Sequence, residues 1–411
     1  MPLSIFRAAA SRTAPVRRAL TVLGGQAADA VAARRLRRQL AAGSAAPERF
    51  DCVVYFADEP SSAYQVRQWF APLAELARTH PVALLVHRAT TAAELLKDSP
   101  LPLYLTSGIG EVERFIQDKA VRLVFYVNNN RDNFTVLRLT GQVHVHLSHG
   151  ESDKISMASN QLKAYDYAFI AGQASRERIL GRVRGLDPAR LVEIGRPQLD
   201  SAVPEAGQDS TAGQDSGGRT TVLYAPTWEG DRPAMAYGSL ASHGVEMARA
   251  ILADPRYRLV FRPHPRTGVR LPAHRAAAEQ ITALVEDAVK RTPGAGHYVD
   301  RRPDFSVSMA EANVCICDLS AMAMDWLPRR KPLLLTRPAE PAAAVDPGGI
   351  AGVVPLLEAS EAAGVVSRLD ELLSRPVGQA QLDLVRHHFG DTSPGASTRR
   401  FLKAVDTVLG E

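Results

Sequence analysis

Phe50-Asp-Cys-Val-Val-Tyr55 is a nearly unbroken apolar run of one strand's length. It is followed by Tyr64–Arg78, with Val66, Phe70, Leu73 and Leu76 at helical spacing. Strand then helix is one α/β unit. The pattern returns at Pro81–His87, Arg122–Val127, Val143–Leu147 and Tyr167–Ile170, with helical or loop sequence between them. Buried strands separated by helices predict a parallel sheet covered on both faces. A second series, Thr221–Tyr224, Tyr257–Phe261, Asn313–Cys317 and Pro332–Leu335, is interleaved with helices predicted at His243–Ala253 and Ala273–Lys290. Between the two series, Ser201–Arg219 contains Gly-Gln-Asp-Ser twice in a Gly, Ser, Ala and Asp-rich background, and reads as a linker or disordered insert. The expected organisation is a basic segment 1–43, a first α/β domain 44–200, the insert 201–219 and a second α/β domain 220–411. Two such sheets facing each other leave a cleft at the carboxyl ends of their strands, where ligands of open α/β sheets bind.

Composition narrows the class. With 411 residues, 45% hydrophobic and 23% charged, the chain has enough apolar material for two cores. The net charge of +5 is uneven, because residues 1–43 carry eight arginines against Asp29 alone and leave the remainder at −2. That distribution argues against a nucleic-acid-binding surface and for one basic segment with its own task. Its Ile5, Phe6, Leu20, Val22, Leu23, Val31, Leu36 and Leu40 form no continuous secretion-type core. It reads either as an amphipathic helix on an anionic membrane surface or as a tail or helix packed on the body. Cys52, Cys315 and Cys317 make neither a disulfide set nor a zinc signature, which fits buried thiols in a reducing cytoplasm. No apolar stretch reaches the ~18 residues of a membrane span.

Five segments carry chemistry. In Val143-His-Val-His-Leu-Ser-His-Gly150, His149 lies just past a strand end and is followed by glycine. A neutral imidazole there, near its unperturbed pKa of ~6.5, can take a proton from an attacking hydroxyl; the alternative is a structural histidine. Leu259-Val-Phe-Arg-Pro-His-Pro265 runs a strand into Arg262 and His264, which two prolines hold in a stiff turn. Such donors suit a pyrophosphate, or else the arginine pairs with a surface acid. After Asn313–Cys317 comes Asp318-Leu-Ser-Ala-Met-Ala-Met-Asp325, where Ser320 opens a helix through Leu327. Free amides and a hydroxyl at a helix start form a phosphate site, or an ordinary cap. Asp318 and Asp325 alone are too few ligands to argue for a metal. In Tyr224-Ala-Pro-Thr-Trp228, Thr227 is placed to bond a phosphate and Trp228 to wall the cleft. Tyr126-Val-Asn-Asn-Asn-Arg131 puts Asn128 and Asn129 after a strand, suited to a polyol or sugar acceptor or to a simple turn.

In order, His149-Gly150, Gly195-Arg-Pro197 with Asp200, Ala225–Trp228, Arg262–Pro265 and Asp318–Ser320 with Asp325 resemble the CDP-glycerol glycerophosphotransferase family. Phe389-Gly-Asp391 through Gly395-Ala-Ser397 and Arg399 is similar to that family's end, so the resemblance spans roughly residues 120–402. It implies a GT-B-like α/β fold of two Rossmann-like domains, the C-terminal one holding the nucleotide donor and the N-terminal one the acceptor. It further implies His149 as base and His264 on the donor phosphates, both catalytic. Thr227, Arg262, Asp318, Ser320 and Asp325 fall on the donor side, and Asn128, Asn129, Gly150 and Lys154 on the acceptor side. The reaction implied is transfer of glycerol phosphate, or a related polyol phosphate, from a CDP-activated donor to a lipid-linked or glycan hydroxyl. No cofactor is expected and no metal-binding residues are assigned; such a transferase serves teichoic-acid-type cell-wall synthesis in the cytoplasm, at the inner membrane face if residues 1–43 dock there. The chain departs from the family pattern at four places: Glu151-Ser-Asp-Lys154 stands for Thr-Pro-Leu-Lys and keeps only the lysine, Arg262 replaces a lysine, Ala321 a serine and Glu229 an arginine. Two rivals stay open, a GT-B glycosyltransferase using a UDP- or GDP-sugar and a non-catalytic nucleotide-binding partner at the membrane surface.

Overall fold

The computed structural model describes residues 47–151, 158–200, 218–302 and 305–410, together with Ala33 and Leu36. The expected basic segment apart from those two residues, the expected insert as far as residue 217, and Lys154 lie outside the described residues. The chain divides into two compact units, one ending at His146 and the other beginning at Leu147. Among the described residues the strands form two sheets, of seven and six strands.

The first unit holds β1 (Cys52–Phe56), β2 (Val82–Val86), β3 (Leu103–Leu105), β4 (Leu123–Tyr126) and β5 (Val143–His146), in the order β3-β2-β1-β4-β5. All neighbours are parallel, with Cys52 opposite both Val82 and Leu123. Every residue of β1, β2 and β4 is buried, as an apolar strand covered on both faces requires. The helices are α1 (Tyr64–Arg67), α2 (Phe70–Leu76), α3 (Ala89–Leu95), α4 (Ile109–Asp118) and α5 (Asn133–Val136). The single helix expected over Tyr64–Arg78 is thus two. Pro72 has no N–H to offer the carbonyl of Gln68, and its ring crowds that carbonyl, so the helix breaks at Gln68-Trp69.

In the second unit β6 (Tyr167–Ile170) and β7 (Leu191–Glu193) pair in parallel. The six-stranded sheet follows, with β8 (Thr220–Ala225), β9 (Tyr257–Phe261), β10 (Tyr298–Val299), β11 (Val314–Asp318), β12 (Leu333–Thr336) and β13 (Leu356–Leu357). Its order is β10-β9-β8-β11-β12-β13, all parallel. The helices are α6 (Gln173–Leu180), α7 (Val245–Ala253), α8 (Pro272–Arg291), α9 (Ser306–Glu311), α10 (Ala321–Trp326), α11 (Val365–Leu373), α12 (Gln379–Phe389) and α13 (Ala396–Leu409). The start expected at His243 is instead a π-turn over Leu240–Gly244, closed by the Gly244 N–H on the Ser239 carbonyl at 3.2 Å.

Alternation along β8, β9 and β11 divides the core. Leu223, Val260, Cys315 and Cys317 face one cluster with Trp326, Leu327 and Phe389. Val222, Leu259, Val314 and Ile316 face the other, with Met247, Ile251, Ile281 and Leu369. The cysteines are therefore core packing, buried and unbridged. No helix among the described residues is long and apolar enough to cross a membrane.

In both orders the chain reverses direction beside the first strand of the series, at β1/β4 and at β8/β11. Such switch points open a crevice at the carboxyl ends of the strands. In the first unit it falls at Asp58 and Asn128, in the second at Thr227 and Asp318.

Candidate active site

Asp318, the last residue of β11, is fully buried. It accepts the backbone N–H of Thr227 at 2.6 Å and the Thr336 hydroxyl at 2.5 Å, tying together the ends of β8, β11 and β12. Burial raises its pKa against the bonds from Ser239, Thr336 and Thr227 that favour the anion. Both carboxylate oxygens are occupied inside the protein, so Asp318 shapes the crevice floor. Ser320 precedes α10 with an extended backbone, yet its hydroxyl makes no cap bond. Its Oγ is buried without a hydrogen-bond partner. A hydroxyl left so at a helix start has an unmet bond that a phosphate oxygen satisfies.

Asp325 lies one turn further along α10. Oδ1 accepts both Nε and Nη2 of Arg196, at 3.0 and 2.7 Å, and both side chains are buried. Arg196 belongs to the Gly195-Arg-Pro197 turn. Gly195 has φ of +76°, and an added Cβ would lie 2.4 Å from Ser397 Oγ and 2.2 Å from Arg400 Nη2, so only glycine lets α13 close over the turn. Thr398 N–H bonds Asp200 at 2.6 Å and completes that closure. The family-like tail at Gly395–Arg399 is thus tied to the Gly-Arg-Pro turn.

His149 is flanked by Ser148, whose φ is +58°, and by Gly150. The Ser148 hydroxyl donates to the Gly150 carbonyl at 3.0 Å. A Cβ built on Gly150 would stand 3.1 Å from Ala321 Cβ, so the histidine loop lies directly on the first residue of α10. The chain thus brings His149-Gly150 and Ser320-Ala321 to one place.

Arg262 follows β9 and donates from Nη1 to Asp300 at 2.6 Å and from Nη2 to the Arg302 carbonyl at 2.8 Å. Arg302 Nε bonds the other Asp300 oxygen at 2.8 Å. Burial raises the Asp300 pKa, but Arg302 and Arg262 outweigh it and hold the carboxyl below its usual range. His264 Nδ1 accepts the backbone N–H of Arg266 at 3.1 Å, which makes that nitrogen unprotonated and leaves Nε2 as the ring's N–H donor. Arg262, His264, Arg275, Arg301 and Arg302, together with the acids Glu279, Glu286 and Asp300, line a cleft of about 510 Å³.

Trp228 carries the Arg266 guanidinium over its ring at 4.1 Å. The next residue, Glu229, is buried and accepts three backbone N–H groups, from Gly268 at 2.9 Å, Arg270 at 2.7 Å and Leu271 at 3.1 Å. Burial raises its pKa, yet these N–H bonds prevail and hold it below the usual value. The carboxylate therefore pins the turn that carries His264. Replacing Glu229 by glutamine is expected to cost about 1–3 kcal/mol, measured by urea unfolding at neutral pH. Because the folded pKa is lowered, that contribution is present above the unfolded value of 4.5 and is lost as pH falls through the folded value. The gap between wild type and Glu229→Gln closes on acidification; a gap independent of pH would sink this account.

In the first unit, Asn128 donates to Asp58 at 2.5 Å and to Gln65 at 2.7 Å, and Asn130 donates to the other Asp58 oxygen at 2.6 Å. Asn133 holds the Asn128 carbonyl at 2.7 Å. Asn129 is exposed beside them. The Asn-rich segment is therefore organised around Asp58 at the β1/β4 switch point, a carboxylate that sequence reasoning missed.

Residues 116–338 match the family model described as CDP-Glycerol:Poly(glycerophosphate) glycerophosphotransferase. No curated protein sequence matches the chain. Among solved structures, the wall teichoic acid polymerase TagF soaked with CDPG is similar at a TM-score of 0.55 and 13% identity, over 88% of this chain and 89% of that one. A putative UDP-N-acetylglucosamine 2-epimerase from Listeria monocytogenes aligns at a TM-score of 0.55 and 14% identity, over 88% and 97% of the two chains. The MnaA–UDP structure from S. aureus follows at a TM-score of 0.51 and 13% identity, with the same coverage. These likenesses establish the fold as two parallel-sheet α/β domains of the GT-B class. With more than half of its length matched by the family model, the chain belongs to the CDP-glycerol:poly(glycerophosphate) glycerophosphotransferase family.

Proposed function

We propose that this chain transfers glycerol phosphate from CDP-glycerol to an acceptor hydroxyl in cell-envelope polymer synthesis, with His149 as general base. The observation that carries the roles is the seating of Gly150 on Ala321, which sets the His149 loop against the helix start bearing the unpartnered Ser320 hydroxyl. The acceptor hydroxyl gives its proton to His149 as its oxygen bonds the β-phosphorus. The bond from that phosphorus to the CMP oxygen breaks, and its electron pair leaves with CMP. Ser320 and the first amides of α10 receive phosphate oxygens. Nε2–H of His264 donates to the departing phosphate, and Arg262 supplies positive charge beside it. Asp318 and Asp325 act through the floor they brace. Asn128, Asn129, Gly150 and Lys154 are assigned to the acceptor side, and the domains expected at 44–200 and 220–411 to acceptor and donor.

CDP-glycerol supplied with a membrane lipid extract is expected to release CMP, whereas UDP- or GDP-sugars release no nucleotide. Release of UDP or GDP alone would assign the chain to glycosyl transfer. For residues 1–43 the reading is docking on an anionic membrane surface, supported by eight arginines among apolar residues. Deleting them is expected to abolish co-sedimentation with phosphatidylglycerol vesicles at about 0.1 M salt; unchanged sedimentation rules the anchor out.

A further inference from the structure

Glu151 follows the His149-Gly150 pair and is buried. Oε2 accepts the Ser175 hydroxyl at 2.6 Å, and Oε1 is ion-paired with Nη2 of Arg178. Ser175 and Arg178 are three residues apart on α6, and so project from one face of that helix. Removing a carboxylate from water is costly and is offset only when both oxygens are met by good donors. Here both are met from a single rigid element, which fixes the side chain and the backbone that carries it.

On the other side of His149, Ser148 holds a left-handed conformation that a residue with a Cβ adopts only when its surroundings enforce it. Ser148 contributes its own bond to the Gly150 carbonyl, and Gly150 is wedged on Ala321. The Glu151 charge is also felt at Asp325, whose pKa is raised by burial and further by Glu151, against the pull of Arg196. The buried Glu151, Arg196 and Asp325 and the partly buried Arg178 thus form a set of two acids and two arginines. It connects the histidine loop, α6, the Gly195-Arg-Pro197 turn and α10.

We propose that Glu151, locked by Ser175 and Arg178, is a positioning residue that holds the His149 ring where it takes the acceptor proton. This rests on His149 being the base. Glu151 acts by fixing the backbone of His149, two residues before it. Misplacing a catalytic group by about an ångström costs up to ~100-fold in rate.

The experiment follows CMP release from CDP-glycerol, with membrane lipid extract as acceptor, for wild type, Glu151→Ala, Glu151→Gln, Arg178→Met, Arg178→Lys, the double variant Glu151→Ala/Arg178→Met, and His149→Ala. Glu151→Ala and Arg178→Met are expected to lower kcat about 10–100-fold, with the KM for CDP-glycerol within about twofold of wild type. The double variant is expected to fall no further than the worse single one, because the two groups act as one unit. Arg178→Lys, which keeps the charge, recovers part of the rate. Should Glu151→Ala fail to fold, Glu151→Gln, which keeps an acceptor for Ser175, carries the same kcat test. The proposal is overturned if His149→Ala is inactive while both pair variants keep wild-type kcat. It is equally overturned if kcat and the thermal midpoint fall together while KM rises, as general loosening would produce. Full turnover by His149→Ala removes the base assignment itself, and the positioning role with it.

Discussion

His149→Ala is expected to lower kcat for CMP release by about 10²–10⁴-fold, the range that one general base supplies, while CDP-glycerol still binds. The split follows from where the groups lie. The groups proposed to face the donor phosphates, Ser320, the first amides of α10 and the Arg262-His264 turn, are built on α10 and on the ends of β9 and β11. Arg262 is held by Asp300, and the His264 ring by the Arg266 N–H. Removing the His149 ring takes away the proton acceptor and leaves donor affinity to the rest. Equilibrium dialysis with CDP-glycerol and single-turnover CMP release separate the two quantities. If binding and turnover fall in the same proportion, His149 is a donor-binding residue, and another group must take the acceptor proton.

The elements legible in the sequence are those whose physics is local. β1, β2, β4, β8, β9, β11 and β12 are buried on both faces and read as apolar runs. The missed strands β3, β7, β10 and β13 have only two or three residues each, too few for any period to register. Pro72 was visible in the sequence, and its effect on the helix over Tyr64–Arg78 follows from its missing N–H.

The site divides in the same way. His149, Thr227, Arg262, His264 and Ser320 stand at or just past strand ends, and that position was readable from hydrophobic runs stopping at polar residues. What Asp318 and Asp325 bond to was not. Their partners Thr336 and Arg196 lie 18 and 129 residues away in sequence, and no local pattern encodes a contact at that range. The same holds for Asp58 with Asn128, separated by 70 residues, and for Glu151 with Arg178, separated by 27. One signal was available for Glu151: an acid at a position where the family has a neutral residue calls for a nearby cation.

Arg196→Met is expected to cost about 3–5 kcal/mol in urea unfolding at neutral pH, more than any other single substitution considered, because it strands the buried Asp325 carboxylate without its cation. Most of that cost is the penalty of an unpaired charge, not the net worth of the pair. The double variant Arg196→Met/Asp325→Leu is therefore expected to recover most of the stability, since apolar groups of similar volume replace a buried ion pair at little cost. Acidity supplies an independent check. Burial already raises the Asp325 pKa above its ordinary 3.8 despite Arg196. A carboxyl with a raised folded pKa contributes its stability fully below the unfolded value and loses it as pH rises through the folded one. Without Arg196 that folded value rises further, so the deficit of Arg196→Met shrinks as pH is lowered toward 3.8, while the double variant shows no such trend. A deficit in the single variant that is constant from neutral pH down to that value would mean that the turn at Gly195–Pro197, and not the stranded carboxylate, is what Arg196 supports.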